Sequence, residues 1–191
     1  GGKPSLPGSA CSALRGGVGA PRVVLLGRGS SFPLPPRKAR DTHAEKRCAN
    51  FDTCESGSTG LSNVNKELLA DFTKGEAYLM DGNCSAVRPI VDRIIKQMTV
   101  PLVQGSLRYA YKVGSDPVYD DVGTGRSQKN AAEGAVFTAA VLPLVHECNV
   151  AAAKTISDEM KFGLYDQGVF PDFAAVKAAF ESTYDCLDIT W

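Results

Sequence analysis

From residue 60 onward, apolar residues recur every three or four positions in one segment after another. Nowhere do they alternate as half-buried strands would. Val64, Leu68 and Phe72 give Leu61–Thr73 one apolar side, with Gly75 as its stop. Ser85 is positioned to cap Ala86–Met98, where Val87, Ile90, Val91, Ile94, Ile95 and Met98 form a broad stripe. Pro89 falls in or just after its first turn, where proline costs least. Pro101 opens a further helix, Leu102–Val113, closed by Gly114. A loop over Ser115–Ser127 leads to Gln128–Cys148, the longest helical pattern, in which Pro143 predicts a kink. Asn149 caps Val150–Lys161, and Asp172 caps Phe173–Cys186. The fold class expected is all-α, a helical bundle with a disordered N-terminal head.

The head differs from the rest in charge. Lys3, Arg15, Arg22, Arg28, Arg37, Lys38 and Arg40 stand among the first 40 residues with no acidic residue. The formal net charge of zero therefore conceals a net of −7 over residues 41–191. An acidic surface is a poor partner for phosphate backbones, so nucleic-acid binding is not expected. Pieces such as PSLPGS and SFPLPPRK predict disorder over residues 1–47, ahead of a helical domain over 48–191. A basic, acid-free stretch also has the composition of a transit peptide. Its apolar run, Val23 to Leu26, is too short for a membrane span, and no transmembrane segment is expected. The glycine start leads us to expect a fragment or a faulty gene model, and the abrupt CLDITW end resembles a cut edge.

Cys48, Cys54, Cys84, Cys148 and Cys186 are scattered, with no CxxC pair of zinc-site spacing. Such spacing favours disulfides in an oxidising compartment, each contributing about 2–4 kcal/mol if unstrained. The connectivity stays open, and a cysteine is left over if Cys11 is absent from the mature protein.

The residues with chemical potential lie mostly between Gly105 and Cys148. Tyr109, Tyr111, Glu133, His146 and Glu147 carry donor types that suit ferric iron. A phenol binds such an ion only as phenolate, so the metal or a neighbouring cation must favour ionisation. Each residue also has a plainer reading. Tyr109 and Tyr111 diverge by about 200° on a helix and serve as packing residues. Glu133 pairs with Arg108 or Lys112, and His146 complements a helix C-terminus. Gly134 costs a helix interior roughly 1 kcal/mol, which points to a close helix contact or a ligand. Tyr119, Asp120 and Asp121 line up in the loop, without calcium-loop spacing. His43 falls within the expected disordered head. No HExxH, GxSxG, GxxxxGK[ST] or GxGxxG motif is present. An enzyme is not expected, and a hydrolase built on His146 and Glu147 lacks a complete catalytic set.

LRYAYKV, AAEGAVFTAAVLPLVHEC, AAAKTI and FESTYDCLDIT occur in that order. Together these blocks resemble the iron-assimilating, low-iron-inducible periplasmic proteins of green algae, relatives of the carbonate-dependent phytotransferrins. The resemblance spans residues 51–190 and corresponds to the C-terminal part of the family domain. It implies a periplasmic, extracellular or cell-surface protein that captures Fe³⁺, with carbonate as a candidate bridging anion, and delivers it to cell-surface uptake machinery. The low-complexity head and the lack of a recognisable signal peptide depart from the family pattern. The rival expectation is a disulfide-stapled structural or interaction module of the cell surface, without a ligand.

Overall fold

The computed structural model describes residues 37–114 and 125–189. Its helices are α1 (Arg37–Phe51), α2 (Asn63–Met80), α3 (Cys84–Val113), α4 (Gln128–Cys148), α5 (Val150–Met160), α6 (Phe173–Glu181) and α7 (Tyr184–Leu187). An antiparallel hairpin of β1 (Cys54–Ser56) and β2 (Thr59–Ser62) separates α1 from α2. The class is all-α. At 30 residues α3 is about 45 Å long and forms the spine, with α1, α2, α4 and α6 packed along it. The α5 helix lies between α4 and α6. Val103 and Ala110 of α3 meet Val141 and Val145 of α4, Ile156 of α5 and Val176 and Phe180 of α6 in one buried apolar core.

Helix starts follow local chemistry. The side chains of Ser62, Asn83, Ser127, Asn149 and Asp172 each accept a backbone N–H from the first turn of the helix that follows. At α2 the cap is reinforced by Glu45, whose carboxylate accepts from Ser62 N–H and from the Asn65 amide, both at 2.8 Å. That contact ties α1 to the positive end of α2.

Five expectations are corrected. Residues 37–47 of the expected disordered head belong to α1, where Ala44 and Cys48 are buried; residues 1–36 lie outside the described part. The reason is amphipathicity: Ala44, Cys48 and Phe51 recur at helical spacing and dock on the bundle.

Pro101 does not open a new helix but lies buried inside α3. Proline removes one backbone bond there, yet the flanking stripe of Ile94, Val103 and Leu107 keeps the helix continuous. Gly75 does not stop α2; it is buried within the helix, where a Cβ would stand 3.5 Å from Ile90 Cγ2 of α3, an ordinary contact. The last helix does not run through Cys186, because the Ser182 and Thr183 hydroxyls donate to Ala179 O and Phe180 O and end α6. Asn83, not Ser85, caps α3. The 115–124 part of the expected loop, with Tyr119, Asp120 and Asp121, lies outside the described residues.

Two disulfides are described. Cys48–Cys54 closes the turn between α1 and β1, and Cys148–Cys186 joins the end of α4 to α7. Cys84 is disulfide-bonded as well. Among the described residues one helix, α4, is long and apolar enough to cross a membrane, with a mean hydropathy of 1.2. In the bundle it packs against α3 and α5.

Candidate functional site

Three helices converge on Tyr109. Its ring is buried in α3, and its hydroxyl donates to the Glu133 carboxylate on α4. Glu133 is half-exposed, with Lys129 Nζ 3.9 Å away one turn earlier on the same face. One turn later, Phe137 stacks on Tyr109 at 5.8 Å between centroids. From α1, His43 stacks on the Phe137 ring at 4.5 Å, and its Nε2–H donates to Pro101 O at 3.1 Å. Arg47, one turn beyond His43, places its guanidinium carbon 5.4 Å from the Tyr109 ring centre and 6.0 Å from that of Phe137.

Glycine makes this convergence possible. A Cβ on Gly134 would stand 2.8 Å from Tyr109 Cβ and 2.9 Å from Met160 Cε. A Cβ on Gly105 would meet the Phe137 ring at 2.8 Å. The close helix contact anticipated for Gly134 is therefore real, and Gly105 makes a second one that sequence reasoning missed.

The site is rich in positive charge. Arg47 is only 6% exposed, and its Nε and Nη1 have no hydrogen-bond partner among the described residues. Burial holds its pKa below the ordinary arginine value, against the opposing pull of Glu133. Arg108 is lowered by burial and then by Arg47. Lys112 is lowered by burial, then by Arg108, Arg47 and Lys129. Among the described residues, Arg47, Arg108 and Lys112 lie close enough to oppose one another's charge, and Glu133 favours the charged form of Arg47.

His43 carries a pH dependence. Burial, its largest influence, lowers its pKa; Arg47 and Lys46 lower it further, while the Pro101 bond and Glu133 oppose this. The unfolded chain takes up this proton near pH 6.5 and the folded chain only at lower pH. Below that point the unfolded state holds more protons, so stability falls as pH drops through about 6.5. The loss levels off below the folded pKa. We expect the urea midpoint to fall between pH 7.5 and 5.5 and the fall to shrink in His43→Gln. An equal fall in that variant would assign the effect elsewhere.

Of the residues singled out from the sequence, Tyr109 and Glu133 meet. Glu133 bonds to Tyr109 and Lys129, where Arg108 or Lys112 was expected. Tyr111 points away, exposed, with its ring edge-on to Phe173 at 5.4 Å. His146 and Glu147 are exposed thirteen and fourteen positions further along α4, about 20 Å from Glu133. His43 and Arg47 were missed because they fell in the expected head, although their spacing from Ala44 and Cys48 is helical. Among the described residues no group of three or more His, Cys, Asp or Glu converges. A small cavity of about 50 Å³ borders Tyr109 on another side, lined by Val113, Ala131, Met160 and Pro171. A wider one of about 350 Å³ lies between Asp52, Glu67, Arg93, Lys96 and Asp188. In it Lys96 is paired with Asp188, and Arg93 with Asp71. No family model, curated protein or solved structure matches the chain.

Proposed function

We propose that the protein is a non-enzymatic ferric-iron-binding protein that assists high-affinity iron uptake outside the plasma membrane. The observation that carries this reading is the direct bond between the Tyr109 phenol and the Glu133 carboxylate. It sets two hard oxygen donors side by side in a part-buried position. Hard trivalent cations favour that donor pair over nitrogen or sulfur. On binding, Fe³⁺ would replace the shared proton, and the Arg47 guanidinium beside the Tyr109 ring would favour the phenolate. Tyr109 and Glu133 supply two positions; the resemblance implies carbonate for further ones, and water suits the remainder. Tyr111, His146 and Glu147 lie elsewhere and take no part in this set. The disulfides suit a periplasmic or cell-surface location, where the iron would pass to uptake machinery.

Ferric iron added with bicarbonate is expected to produce a visible phenolate-to-iron charge-transfer band, lost in Tyr109→Phe and retained in Tyr111→Phe. Glu133→Gln is expected to weaken binding by about tenfold, one charge-assisted contact. Absence of both band and calorimetric binding would sink the reading. It would leave the disulfide-stapled cell-surface module as the account of the chain.

A further inference from the structure

The outer face of α4 is apolar where a surface helix ordinarily carries charge. Lys129, Val136, Ala140, Pro143 and Glu147 fall within about 40° of one line along this helix. All five are exposed, Val136 by 64%. Gly134, Ala135, Thr138, Val141 and Val145, on the opposite side, are buried in the bundle. Between Glu133 and His146 no charged residue interrupts the sequence. Glu133 itself stands at the edge of the outer face, bonded to Tyr109. Of the apolar window that makes α4 long enough to cross a membrane, 22% is buried. A continuous apolar surface of this kind marks a contact face.

The charges at its two ends indicate what covers it. Lys129 and Glu147 are eighteen positions apart, which is five helical turns and about 27 Å on the same line. Their midpoint lies between Val136 and Ala140. A twofold axis at that point lays the face antiparallel on its own copy. Lys129 of each copy then meets Glu147 of the other, and Val136 meets Ala140. Parallel pairing would set like charges together instead. The Lys129 side chain is 83% exposed and held only by Glu133 at 3.9 Å, so its ammonium can reach across. Ala132, Ala139 and Ala140 end at Cβ, which lets two helix axes approach to about 8 Å.

We propose that the outer face of α4 is a self-association surface, on which a second copy of this chain docks antiparallel about a twofold axis. The apolar residues supply the contact. The two Lys129–Glu147 pairs set direction and register, because exposed ion pairs add little affinity but penalise a wrong arrangement. The two axes cross at about 20°, since a wider angle would carry the charged ends apart. A strip one helix wide buries roughly 400–500 Å² per copy, at the small end of specific interfaces, so the dimer is reversible. The surface goes beyond the iron reading, since it forms in metal-free protein.

The test is sedimentation velocity on the purified, chelator-treated full chain. The sedimentation coefficient is expected to rise from monomer toward dimer as concentration increases to about 1 mM. Ala140→Glu alters an exposed position, so its circular dichroism should match the native chain. It is expected to weaken the dimer at least about tenfold by burying an unpaired carboxylate at the axis. K129E and E147K each oppose like charges across the axis and are expected to dimerise severalfold more weakly. Mixed in equal amounts they restore both pairs, and the mixture is expected to recover native dimerisation. A native chain that stays monomeric overturns the proposal. So does A140E dimerising like the native chain, or a mixture no tighter than either variant alone. Binding of the monomer to phosphatidylcholine vesicles, lost in A140E and without any dimer, would assign the face to a membrane and equally overturn it. No metal is present in these measurements, so they and the charge-transfer band can fail separately.

Discussion

Replacing Cys148 and Cys186 together by alanine is expected to lower unfolding free energy by about 4 kcal/mol, measured by urea denaturation without reductant. The bridge spans 38 positions, and a loop of that length loses most of its freedom in the unfolded chain when its ends are joined. In the folded chain it links the end of α4 to α7, a helix of only four residues. Such a short helix has little cooperativity of its own. Leu187 and Ile189 hold this end by burial, and the covalent link keeps them there. The corresponding change at Cys48–Cys54, separated by six positions, is expected to cost about 2 kcal/mol on the same loop-length argument. A larger loss at Cys48–Cys54 would show that holding α1 in place, not loop length, dominates.

Gly134→Val is expected to destabilise the chain by about 3 kcal/mol and to disturb the site itself. The valine Cβ would fall under 3.0 Å from both Tyr109 Cβ and Met160 Cε. Met160 ends in a flexible methyl that can turn aside. Tyr109 Cβ is fixed to the backbone of α3, so relief requires α3 and α4 to separate. Removing glycine from a helix interior returns less than 1 kcal/mol, too little to offset that clash. Separation would also pull the Tyr109 hydroxyl from Glu133 and expose the stacked rings. The variant should therefore lose both its urea midpoint and the protection of Tyr109 from solvent, read by tyrosine fluorescence quenching. A midpoint equal to the native one would mean that α3 and α4 are not pressed together at Gly134.

Much of the site was readable in the chain, and the unreadable parts share a cause. Glu133 and Gly134 stood out because a charge and a flexible residue are costly inside an apolar helix. Tyr109 and Tyr111 were separable by geometry, since two positions on a helix face different ways. Arg47 had no such mark. A basic residue beside a Gly- and Pro-rich head looks solvated, and only docking of α1 buries it. His146 and Glu147 were drawn to Tyr109 by sequence proximity, whereas α4 carries them to its far end.

Helical periodicity and five side-chain caps determined the class of fold and most helix starts, because both act within a few residues along the chain. Which helix continued through Pro101, which cysteines joined and which charges met at Tyr109 depended on the packing of α1, α3 and α4. Most of those outcomes turn on contacts between residues distant in sequence, such as Tyr109 with Glu133, 24 positions apart, and His43 with Phe137, 94 apart. No local pattern encodes such distances, so only the assembled core could decide them.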